Sequence, residues 1–181
     1  GAEVLMLPMF YSVEEVNDIL RIINSRCQLD LLFETPKALE NIKKFPFQSI
    51  RYSHFGLNDL SIALKKKHIF DMFFTNLLND STEYLRTINH KFGIGGVGAI
   101  GSKPFSPKLI FTMHKILSSK RCILSRSFLS KITNTDQCSA NKSCIKNTKD
   151  LIKLWYDLQN LSSLEIDKYK SNFNDLLKRN F

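Results

Sequence analysis

Cysteine, proline, glycine and tryptophan are all scarce in this chain: four, five, seven and one among 181 residues. The four cysteines, Cys27, Cys122, Cys138 and Cys144, match neither the C-x-x-C spacing of a zinc site nor a dense disulfide framework. That pattern predicts reduced thiols and a cytoplasmic protein. Long hydrophobic runs are missing too. No stretch approaches the roughly 18–20 apolar residues that a bilayer span needs, so no membrane partner is expected. The apolar start is interrupted by Glu3 and has no basic flank, which does not fit a secretory leader. Acidic residues are the scarcer charge, 17 against 26 Lys and Arg, for a net charge of +9. Net charge alone would suit a nucleic-acid partner. The basic residues are scattered, however, with Lys65-Lys66-Lys67 the longest run, and no basic stripe interleaves with aromatics. A solvated lysine-rich surface that also attracts small anionic substrates is the better account.

Apolar side chains are plentiful: 43% of residues are hydrophobic and 14 are Phe, enough to bury one sizeable core. Along the chain, short apolar runs alternate with helical periodicity. Residues 3–9, EVLMLPM, spell a strand ending at Pro8. Ser12 and Glu15 then have the spacing of a capping box, followed by Val16, Ile19, Leu20 and Ile23 on one helical face. Residues 29–33 are a second strand, closed by Glu34, with Thr35 placed to cap and Pro36 to open the next helix. Residues 50–55 suit a third strand leading into a loop, Gly56-Leu57-Asn58-Asp59. Helices are predicted over 68–79 and 81–91, the second capped by Asp80 or Ser81. Residues 92–101 hold five of the seven glycines, 107–117 suit a helix, and 121–128 a last strand. A polar linker is predicted over 134–148, and amphipathic helices over 149–159 and 163–179, the latter opened by a Ser162–Glu165 capping box. Repeated β-α units demand right-handed crossovers and a parallel sheet. The fold class expected is therefore α/β with five parallel strands, their C-terminal ends side by side where such folds build their sites.

Two acids fall at equivalent places in successive β-α units. Glu34 ends one strand and Asp59 follows the next. Strands about 4.8 Å apart would let these side chains share one small cation, with open positions for water and substrate in the usual magnesium manner. The alternative is that Glu34 caps a helix and Asp59 organises a turn. Gly93–Gly98 and Gly96–Gly101 both match G-x-G-x-x-G, but Pro104 and Pro107 stand where a dinucleotide-binding helix should start, and no acid follows about 20 residues on. Gly95 and Gly96 either present amides to an anionic substrate or make a tight crossover. His54, His68, His90 and His114 show no metal-ligand spacing and are read as structural. Arg126, at the end of the last strand between Ser125 and Ser127, could bind a carboxylate or sit at the surface. Trp155 and Phe173 mark packing stripes.

Five collinear segments, LPMFYSVEEV (7–16), LLFETPKALENI (31–42), FGLNDLS (55–61), GIGGVGAIG (93–101) and ILSRSF (123–128), resemble the C-terminal part of the HpcH/HpaI aldolase and citrate lyase family. Within that family the chain is most similar to a bacterial branch often found with surface-polysaccharide genes. The resemblance covers about residues 1–130. It implies a partial TIM-type (β/α) barrel, strands four to eight, over residues 1–133, followed by a linker and two-helix extension over 134–181. It also implies carbon–carbon lyase chemistry of the aldolase type on a 2-keto acid or related acyl-CoA. Mg²⁺ or Mn²⁺ would be held by Glu34 and Asp59, and the Asn58–Asp59 amides would receive the substrate carboxylate. Arg126 is the candidate catalytic residue, and Gly95 and Gly96 are candidate substrate contacts. Where the family's aldolases often carry Gln two positions before the metal Glu, this chain has Leu32. The family's carboxylate-binding Arg and acid–base His belong to its first three strands. The chain is therefore expected to be a fragment or truncated product, with acid–base work done by a group outside it or by a water on the cation. A homo-oligomer is expected, the last two helices docking on a neighbouring subunit. The rival expectation is an inactive barrel remnant serving as a binding or assembly module.

Overall fold

The computed structural model describes residues 1–126, 128 and 137–180; Ser127, residues 129–136 and so the start of the expected linker lie outside the described residues. Five parallel strands form one sheet in the order β1 (Val4–Leu7), β2 (Gln28–Phe33), β3 (Tyr52–Phe55), β4 (Phe92–Val97) and β5 (Arg121–Leu124). The fold is α/β, and the strictly sequential strand order is the singly wound topology of a partial β/α barrel. A doubly wound sheet would reverse its order partway.

The local rules work where a cap is encoded. Helix α1 (Val13–Ile23) starts where Ser12 Oγ accepts from the Glu15 amide, while the Glu15 carboxylate accepts from the Tyr11 N–H, one residue before the usual capping-box partner. Helix α2 (Pro36–Glu40) is capped by Thr35, whose hydroxyl also donates to the Phe10 carbonyl at 2.7 Å. Three expectations fail. The segment 56–59 is not a loop: α3 (Leu57–Ala63) starts there. The helix expected over 68–79 is a 3₁₀ stretch, Ile69–Phe74, and the next helix, α4 (Asn76–Thr87), is capped by Thr75 rather than Asp80 or Ser81. His68 and Asp71 make the reciprocal bonds that fix the start of the 3₁₀ stretch. The chain is helical from residue 137, where a linker was expected.

Two compact units are distinguished. The first comprises Gly1–Gly95 with Leu117–Arg121. Its strands bury one face under an aromatic cluster: Phe33 meets Phe10, Phe45 and Phe55 at ring distances of 5.0, 5.4 and 5.8 Å. Phe55 in turn meets Phe92 edge-on at 5.8 Å. Each fully buried ring contributes on the order of 2–3 kcal/mol through apolar burial. The opposite face is polar. Register pairs Asp30 with Tyr52 and His54 with Gly93, so these residues share it by the two-residue strand period. Arg121 reaches from β5 across this face to Asp30, Nη1 to Oδ2 at 2.8 Å, and its guanidinium lies 4.5 Å from the Tyr52 ring centre. The Asp30 side chain is only 3% exposed.

The second unit comprises Gly96–Ile116 with Cys122–Phe181. It packs α5 (Pro107–Ile116) with α6 (Gln137–Gln159) and α7 (Ser163–Asn180). Trp155 meets Phe111 edge-on, and Phe173 meets Phe105, both at 5.0 Å, as the packing-stripe reading requires. Lys115 Nζ donates to the carbonyls of Leu158, Gln159 and Leu161, which closes the C-terminal end of α6. Helix α6 reaches back to residue 137 although 141–148 bury no side chain. Leu151 and Leu158 anchor its second half, and the polar first half extends that helix by propagation, which adds one hydrogen bond per residue fixed. Apolar periodicity has no purchase on such a segment.

Burial sets two expectations for stability. His54 is 2% exposed, and burial pushes its imidazole down to about 4. The folded state therefore binds this proton less readily than the unfolded chain, whose histidine titrates near 6.5. The resulting stability is complete above about pH 6.5 and is lost as pH falls toward 4, about 3 kcal/mol in all. Urea denaturation across that window should show this loss in the wild type and not in His54→Gln. Arg121→Met should cost about 3 kcal/mol at pH 7 by leaving the Asp30 carboxylate buried without its cation. The pair Asp30→Leu with Arg121→Met should recover most of that loss.

Candidate functional site

Three strands in register build the site. Phe33 pairs with Phe55 and Phe55 with Ile94, so Glu34 after β2, Gly56 after β3 and Gly95 within β4 follow one another across the sheet. The Glu34 side chain leans over Gly56: a Cβ at position 56 would lie 2.5 Å from Glu34 Cγ and 2.8 Å from Oε1. Only glycine leaves that room. Past Gly56 the chain enters α3 at once, and Asp59 stands in its first turn. Glu34 and Asp59 are thereby brought together. Partial burial, the like charge of Asp59 and a side-chain hydrogen bond with Asp59 raise the Glu34 carboxyl above the usual range, and a bond from the Met9 amide partly opposes them. Two carboxyl groups held side by side in a partly buried place produce this signature.

The capping alternative for Glu34 fails, because Thr35 caps α2. Asp59 does organise a turn, the first of α3, and the same placement aims it at Glu34. Gly56 gives α3 no side-chain cap, and the first-turn amides of Leu57, Asn58 and Asp59 have no partner within the helix. Asn58 is exposed and Asp59 half-buried. Leu32, in the position of the family's Gln, is half-buried on β2. Among the described residues, no cluster of three or more His, Cys, Asp or Glu forms. A cation held here would take two protein carboxylates and fill its shell with water or substrate, a donor set that suits Mg²⁺ or Mn²⁺.

The glycine-rich segment is explained by close approach. Gly93 lies beneath the His54 ring: its Cβ would fall 2.5 Å from Nδ1. Gly95 has φ +48° and lies beneath Leu57, 2.8 Å from Cδ1. Gly96, in the second unit, lies 3.2 Å from the Ile123 carbonyl by the same measure. Arg126 also belongs to the second unit and is exposed.

The other histidines have structural partners. Ser53 Oγ and His90 Nε2 lie 3.0 Å apart, with the His90 ring 4.7 Å from Phe47. His68 Nδ1 accepts from the Phe70 amide, and His114 is fully buried beside Trp155. Cys27, Cys122 and Cys144 are free thiols, and burial pushes Cys122 up to about 11, which makes it inert. Among the described residues no helix is long and apolar enough to cross a membrane.

Sequence reasoning missed two features of this site. Helix α3 was hidden because its seven residues give barely two turns of periodicity, although Leu57, Leu60 and Ser61 are its buried side. The Asp30–Arg121 pair has partners 91 residues apart and leaves no local pattern. The chain matches no family model and no curated protein, so what the site can do is argued from its own geometry.

Proposed function

We propose that the chain binds a divalent cation, Mg²⁺ or Mn²⁺, between Glu34 and Asp59 and serves a carbon–carbon lyase reaction of the aldolase type on a 2-keto acid or related acyl-CoA. The observation that carries this reading is the convergence of two carboxylates at the C-terminal ends of adjacent parallel strands, with Asp59 raising Glu34. Like charges held together in a partly buried place cost stability unless a cation joins them. The collinear family resemblance supports the choice of reaction.

In this reading Glu34 and Asp59 fix the cation, and the Met9 amide and the space over Gly56 fix Glu34. When bound, the cation supplies Lewis-acid stabilisation of negative charge developing on the keto-acid oxygens. The first-turn amides at Asn58 and Asp59 orient the substrate carboxylate, so that the carbon–carbon bond next to the keto group lies over the site.

Mn²⁺ at about 100 times its dissociation constant should stabilise the wild type by about 2.7 kcal/mol. Asp59→Ala should abolish that response. Asp59→Asn should also abolish it while raising cation-free stability by up to about 1 kcal/mol, because the repulsion with Glu34 is gone. Thermal denaturation with and without Mn²⁺ reads both effects. A wild type whose melting is unmoved by Mn²⁺ and Mg²⁺ would exclude the proposal.

A further inference from the structure

We infer that His54, with the glycines it bridges, is a positioning residue that locks the first turn of α3 and so aims Asp59 at Glu34. The cation site of the preceding reading is what this lock would serve, and the inference rests on that reading for its purpose but not for its geometry.

His54 stands on β3 two residues before Gly56, with its ring laid across β4. Nε2 is 3.0 Å from the Gly95 carbonyl oxygen. A carbonyl oxygen only accepts, so Nε2 carries the proton and the tautomer is set. The other ring nitrogen, Nδ1, lies where a side chain on Gly93 would begin, 2.5 Å from that Cβ position. The ring therefore has one place to sit: bedded on Gly93 and bonded to Gly95.

Gly95 is the second half of the lock. At φ +48° it lies in the left-handed region, which disfavours any residue with a Cβ. Leu57, the first residue of α3, rests on it, with Cδ1 and Cγ 2.8 and 3.0 Å from the missing Cβ. Leu57 is itself 1% exposed. One hydrogen bond thus holds the Gly95 peptide from β3, and that peptide in turn supports the residue that starts α3. Asp59 is two residues further on. On the other side of the turn, Glu34 occupies the space over Gly56. Glycines 56 and 95 are covered by Glu34 and Leu57 respectively, and Gly93 by His54 on one strand and Arg121 on the other. The glycine motif of β4 accordingly serves as a bed for the β3–α3 connection, which explains its spacing without any phosphate ligand.

The test compares wild type with His54→Leu, His54→Gln and Gly95→Ala, all as full chains at pH 7. Two readouts are taken, Mn²⁺ affinity by electron paramagnetic resonance and amide hydrogen exchange over 60–63, with α1 amides as the reference. His54→Leu should speed exchange in α3 about tenfold relative to α1 and weaken Mn²⁺ by about tenfold. Glutamine can donate to the same carbonyl, so His54→Gln should restore both to within about threefold of wild type. Gly95→Ala should act like His54→Leu and carries the test if the leucine variant does not fold. Unchanged α3 exchange in His54→Leu and Gly95→Ala would overturn the lock. So would a measurable wild-type Mn²⁺ affinity that is the same in all four proteins. If wild type binds no Mn²⁺ while α3 exchange responds as stated, the lock stands and the cation reading falls.

Discussion

Everything at the candidate site depends on the register of three parallel strands. Pairing Phe33 with Phe55 and Phe55 with Ile94 puts the last residues of β2 and β3 level with each other and with the middle of β4. A slip of one residue would turn Glu34 and His54 to the aromatic side, where Phe33 and Phe55 now sit fully buried. The aromatic cluster is thus more than a source of stability. It fixes which side chains face the opposite way, and the polar face inherits Asp30, His54 and Glu34 as a consequence. Packing on one side of a sheet selects chemistry on the other.

Glycine then sets how closely those side chains approach. In a parallel sheet every position has neighbours on two sides, and Cβ atoms normally keep their side chains apart. Removing the Cβ at 56, 93 and 95 lets Glu34, His54 and Leu57 lie flat across the adjacent strand. The conformational freedom of three glycines in the unfolded chain is a real cost. It is offset by burial of Leu57, by the His54 hydrogen bond, and by the freedom of Glu34 to reach Asp59. The same segment read as a phosphate loop would need a helix directly after it, and α5 starts only at Pro107.

Much of this was legible in the sequence, for identifiable reasons. Strand positions followed from apolar runs bounded by Pro8 and Glu34, and two helix starts from Ser12 and Thr35, because capping acts over three or four residues. The nearness of Glu34 and Asp59 was legible because successive β-α units place the residues that follow each strand on one edge. Three things were not. The start of α6 lacks an apolar stripe to betray it. Glycines look alike in sequence whether they face a ligand or a neighbouring ring. The Asp30–Arg121 pair joins β2 to β5, and only the completed sheet brings those two positions within reach.

The placement of that pair bears on why Arg121 does not serve the carboxyl groups at the strand ends. Arg121 is committed to Asp30, and its guanidinium is further held over Tyr52. Its planar fork is thereby kept at the N-terminal part of the polar face, while His54, with its imidazole pushed down to about 4, is neutral at pH 7. Burial and Asp59 raise the Glu34 carboxyl, and the Met9 backbone amide opposes them. A fold selected for stability alone would relieve this by replacing one acid or supplying a lysine, and either change needs only one residue. The two acids, with a glycine beneath one and a hydrogen-bonded glycine peptide supporting the other, bring two carboxyl groups to one point of an otherwise basic chain of net charge +9. In the proposed reading one small divalent ion would relieve both charges and still leave coordination positions for a substrate, which a single protein side chain would not.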